Sequence, residues 1–71
     1  MNYTFTAVIV REEKFYVAHC PELGVTSQGV SLEESLDNLK EAVTLYLRDD
    51  PEEQSRVTAE RPLVTTIDVA V

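Results

Sequence analysis

His19 and Cys20 stand side by side, the two residue types that a thiolate nucleophile and its base would need. In an extended segment neighbouring side chains point to opposite faces, so the imidazole cannot take the thiol proton unless the strand bulges. The chain holds one histidine and one cysteine, too few for a second dyad or for a zinc site. The reading is therefore structural, with Cys20 a small buried filler and His19 a rim residue. Carboxylates are plentiful, which raises a metal-dependent nuclease as a second chemistry. That chemistry needs several acids converging from rigid elements. The extended stretch from Tyr3 to Val10 carries none, and Asp68 is the one acid within any expected strand. No metal or other cofactor is expected, and catalysis is the weakest of the functional readings.

The remaining acids have a pattern. Glu33, Asp37 and Glu41 follow at i, i+4 and i+8, with Glu34 beside them and Lys40 as the one basic residue placed to relieve them. Like charges at that spacing destabilise a helix by about 0.2–0.5 kcal/mol per pair. One reading is a solvated helix face. The other is a docking surface for a basic partner, made of Glu22, Glu33, Glu34, Asp37 and Glu41 with Leu45 as its apolar contact.

The elements that would carry these residues can be read from periodicity. Tyr3 to Val10 alternates as a strand does, with Tyr3, Phe5, Ala7 and Ile9 on one face. Arg11-Glu12-Glu13-Lys14 is of hairpin length but lacks an Asn-Gly or Asp-Gly signal. Phe15 to Cys20 is a second strand, stopped at Pro21, and Pro21-Glu22-Leu23-Gly24 reads as a turn. Val25 to Val30 is a third, with Gly29 a bulge or exit point. Ser31 and Glu34 form the sequence of a capping box. Leu32, Leu36, Leu39, Ala42, Val43, Tyr46 and Leu47 then fall in one stripe at helical spacing, and Leu45 falls outside it. Pro51 closes the helix. Asp49 to Pro62 reads as a loop, and Leu63 to Val71 as a last strand with Leu63, Thr65, Ile67, Val69 and Val71 on one face. The expected architecture is α+β, a two-layer sandwich of order β-β-β-α-β: an antiparallel meander covered by one helix, with a returning C-terminal strand.

The 71 residues suffice for one domain, residues 1–71. A chain this short hides about 60% of its unfolded-state surface, which makes self-association a plausible aid to stability. Thirteen acidic residues against six basic ones give a net charge of −7, which disfavours binding to phosphate backbones and favours a basic protein partner. No apolar run is long enough to cross a bilayer, and the first residues lack the pattern of a secretory signal. One cysteine and no signal make the cytoplasm the expected location.

The residues Pro21-Glu22-Leu23-Gly24 and Ser27-Gln28-Gly29, followed by Ser31-Leu32-Glu33-Glu34, Asn38-Leu39, Glu41-Ala42 and Leu45-Tyr46-Leu47, strongly resemble the HicB-like antitoxin family. Ser35 stands where that pattern usually has alanine. The resemblance covers about the first two-thirds of the chain. It implies a partial ribonuclease H-like fold of β-β-β-α-β order and a role as the antitoxin of a toxin–antitoxin pair. The implied partner is a small basic HicA-like ribonuclease whose RNA-binding surface the antitoxin covers. Many members add a C-terminal DNA-binding domain. With the last strand ending at Val71, DNA binding and repression are not expected of this chain alone. A homodimer or higher oligomer is expected. The alternatives are a self-associating structural or regulatory domain without a toxin and, behind it, a degenerate ribonuclease H-like nuclease.

Overall fold

The computed structural model describes residues 3–49 and 63–71. Strands β1 (Val8–Glu12), β2 (Phe15–Cys20) and β3 (Val25–Gly29) precede one helix, α1 (Leu32–Asp49). The sheet is an antiparallel meander of order β1-β2-β3, with Ile9 opposite Ala18 and Ala18 opposite Ser27. The expected α+β arrangement of three antiparallel strands and a following helix is present.

The first hairpin is tighter than its sequence suggests. Glu12 pairs with Phe15, leaving Glu13 and Lys14 as a two-residue turn. Such turns match the twist of the strands when the chain takes positive φ, and Glu13 does so at 30° without being glycine. This turn sets the register. Because β2 ends at Cys20 opposite Val25, β1 finds its ladder partners only from Val8 onward, and residues 3–7 run past the end of the hairpin. The strand expected from Tyr3 therefore begins five residues later. Of the four residues expected on its inner face, Tyr3, Phe5 and Ile9 pack towards the helix, and Ala7 is exposed.

The chain then turns through residues 21–24. The Gly24 N–H donates to the Cys20 carbonyl at 2.9 Å, and Gly24 has a φ of 70°. Glycine meets that geometry at no steric cost.

At the β3–α1 junction the layers meet by main-chain contact. A Cβ at Gly29 would lie 2.6 Å from the backbone nitrogen of Ser35 and 2.9 Å from the Glu34 carbonyl carbon. Gly29 pairs normally with Tyr16 as the last rung of the ladder, so of the two readings of its position, bulge or exit point, it is the exit. Ser35 is buried here, and its hydroxyl donates to the Leu32 carbonyl at 2.7 Å. The small side chain permits the approach, and the local bond satisfies the buried oxygen.

The buried core is Ala18 and Cys20 from β2 with Leu39, Val43 and Leu47 from α1. The apolar stripe is narrower than expected: Leu32 is 46% exposed, and Leu36, Ala42 and Tyr46 are half-buried. The helix lies over β3 and β2, not centrally over the sheet.

Among the described residues the expected returning strand does not join the sheet: residues 63–71 pair with no strand there, and Leu63, Ile67, Val69 and Val71 are exposed. Alternation specifies which face a strand would bury, but a strand forms only against an edge that accepts it. The loop expected after Asp49 lies outside the described residues.

Candidate functional site

Two features of α1 meet on the side away from β3. One is an exposed polar face, the other an apolar groove. The helix starts where the sequence places it, because the Glu34 N–H donates to Ser31 Oγ at 3.1 Å. Glu34 closes the cap by accepting from the Val30 N–H at 2.8 Å, one residue before the N-cap itself. Glu33 and Glu34 lie in the first turn and Arg48 in the last, both favourable to the helix dipole. Asn38 anchors the β3 side by donating to the Gln28 carbonyl at 2.9 Å.

Glu33, Asp37 and Glu41 are exposed, and among the described residues their carboxylates make no ion pair or hydrogen bond. Lys40 is exposed, and its carbonyl accepts from the Thr44 hydroxyl at 2.7 Å. Leu45 is half exposed on the same outer side. The structure therefore brings four of the six expected docking residues to one solvent-facing surface of the helix: Glu33, Asp37, Glu41 and Leu45.

Glu34 belongs to the cap and Glu22 to the N-terminal segment. The Glu22 carboxylate accepts the Thr6 N–H at 2.8 Å and the Cys20 thiol at 3.6 Å. Burial works to raise its pKa, but these hydrogen bonds and its own backbone N–H outweigh that. The carboxyl is held below the ordinary glutamate value. Glu22 thus fastens residues 3–7 to the turn after β2. The sequence offers no sign of this bond, because Thr6 and Glu22 meet only through the hairpin register.

Cys20 is fully buried. Burial pushes its thiol up, and the Glu22 carboxylate adds to the effect against an opposing backbone hydrogen bond at Leu23. His19 lies on the other face of β2, with Nδ1 2.7 Å from Thr26 Oγ1 on β3. The two side chains do not meet, as the strand alternation requires. Among the described residues no three His, Cys, Asp or Glu side chains converge as a metal site needs, and no helix is long and apolar enough to cross a membrane.

The groove was not foreseen from the sequence. It measures about 610 Å³ and lies between residues 3–7 and α1. Tyr3, Phe5, Leu36, Leu39 and Val43 give it an apolar floor, with Asp37, Lys40 and Thr44 at its helical side. The signal that could have revealed it is Leu36. It belongs to the apolar stripe, yet it faces the β1 side of the layer, which the offset helix leaves uncovered.

No family model and no solved structure matches this chain. Among curated proteins it is similar to the UPF0150 protein of Helicobacter pylori (strain J99), at 41% identity over 66 residues. That alignment covers 90% of this chain and 92% of the relative. At 41% identity along nearly the whole length of both proteins, this chain of three antiparallel strands and one helix belongs to the UPF0150 family.

Proposed function

We propose that this protein is an antitoxin-type binding module that neutralises a small basic HicA-like ribonuclease by covering its RNA-binding surface. The observation that carries the reading is the outer face of α1, where Glu33, Asp37 and Glu41 stand exposed without partners among the described residues, beside Leu45. Three carboxylates at i, i+4 and i+8 cost helix stability, so a basic partner would relieve a repulsion as well as gain contacts. A net charge of −7 favours encounter with such a partner. Membership of the UPF0150 family is consistent with the HicB-like pattern of the first two-thirds of the chain.

The mechanism is occlusion. Acids on the helix meet the lysines and arginines with which the ribonuclease holds messenger RNA, and Leu45 fills an apolar contact at the rim. Rim charges act mostly on the rate of association, so complex formation should slow as salt rises. The test is co-expression with the product of the adjacent reading frame and pull-down at two salt concentrations, followed by an RNA-cleavage assay. A retained basic protein, inhibited at equal stoichiometry, supports the reading. The double variant Glu33→Lys with Asp37→Lys should keep its circular dichroism spectrum and lose retention. Failure to retain any small basic protein at low salt would overturn it.

A further inference from the structure

We infer that two copies of this chain exchange their C-terminal segments, residues 63–71 of each lying in the groove between residues 3–7 and α1 of the other. The inference goes beyond the antitoxin reading and does not depend on it. It starts from two stretches that lie outside the sheet, residues 3–7 and 63–71. The segment 63–71 carries an alternation of Leu63, Thr65, Ile67, Val69 and Val71, yet Leu63 is 94% exposed and Ile67 81% exposed. Its backbone makes no hydrogen bond among the described residues, and neither does the backbone of residues 3–5. Peptide groups in an apolar setting need partners, and a strand laid along residues 3–7 would supply them to both stretches at once.

The dimensions agree. The groove follows α1 from Leu36 to Leu47, about 17 Å at 1.5 Å per residue. Five residues of strand, at about 3.4 Å each, cover that length. Ile67 to Val71 is such a run, and it places Ile67, Val69 and Val71 on one face against Leu36, Leu39 and Val43. Thr66, Asp68 and Ala70 then face outward.

The occupant is a second copy because a single chain leaves its own segment outside. The radius of gyration is 13.8 Å, against about 11 Å for a compact chain of this length. Each chain offers one strand and one groove, so two chains satisfy each other around a twofold axis with nothing left over.

The experiment uses the full chain. Carbon-13-labelled and unlabelled protein are mixed, unfolded, refolded together and examined for isotope-filtered nuclear Overhauser effects. Light scattering gives the mass of the same sample. The expected result is a mass twice the 8.0 kDa of one chain, with methyl contacts between chains from Ile67 and Val69 to Leu36 and Val43. The Ile67→Asp variant should weaken the dimer by at least about tenfold while keeping its helical signal, because it places a charge in an apolar groove. Contacts confined within one chain would mean that the segment folds back on its own groove, and the inference fails. It fails equally if the wild type is monomeric, if those methyl contacts are absent, or if folded Ile67→Asp remains fully dimeric. The labelling result on the wild type decides the matter should that variant not fold.

Discussion

The two long sides of α1 are built differently. Towards β3, Asn38 binds the Gln28 carbonyl, Ser35 is buried and bonded, and Gly29 lets the two backbones approach until no Cβ would fit. Towards β1 there is an apolar groove, and residues 3–7 are fastened beside it through Glu22. The contrast teaches where rigidity comes from in so small a chain. Hydrogen bonds and main-chain contact fix the first side. The second is held by one carboxylate and by side-chain packing.

The largest test of this contrast sets two leucines against each other. Leu39→Asp should abolish folding. Burying an unpaired carboxylate and losing a core side chain together cost more than the about 5 kcal/mol that a domain of this size can spare. Leu36→Asp, at the half-buried groove position, should leave a folded protein. Loss of the helical signal in both variants would show that the two sides are equally structural. Next in size is Gly29→Ala, expected to lower stability by about 1–3 kcal/mol in denaturant titrations, because its neighbours are backbone atoms that cannot swing aside. An unchanged midpoint would mean that the junction is looser than described.

Away from the helix, Glu13→Gly should raise stability by about 1 kcal/mol, since it removes a Cβ from a residue at positive φ. No gain in the thermal midpoint would remove strain from the account of the hairpin. The smallest effect concerns Glu22. Its folded pKa lies below its unfolded value, so its contribution to stability is present above the unfolded value and is lost as pH falls through the lowered one. The Glu22→Gln variant should flatten that part of the acid limb in melts taken across the carboxylate range. An identical acid limb would show that the bond to Thr6 is formed in neither state.

How legible each part was depends on the range of the forces that make it. The helix was clear because its cap, its period and its dipole-matched charges are local to Ser31 through Arg48. The onset of β1 was not, because threonine and β-branched alternation continues through residues 3–7 although the register set at Glu13 leaves them no ladder partner. The hairpin carried no Asn-Gly signal, and its strained glutamate replaces one. Leu63 to Val71 was readable as a pattern, but an edge to receive it is a property of the assembled layers. At the candidate site, residue types and spacing picked out six residues, and the structure places four of them, Glu33, Asp37, Glu41 and Leu45, on one exposed surface of the helix. Glu34 carried a capping-box signature besides its place among the acids, and the cap claims it, whereas Glu22 is drawn into an internal bond only by the tertiary approach of Thr6.

The close approach at Gly29 bears on how relatives of this protein can diverge. Where main chain meets main chain, the gap between layers is set by covalent dimensions and cannot be retuned by exchanging one aliphatic residue for another. Substitutions in the core would therefore swing α1 about that end, as a door turns on its hinge, and the accumulated change would appear at Val43 and Leu47. Related chains should superpose closely around residues 29–35 and spread apart along the last turns of the helix.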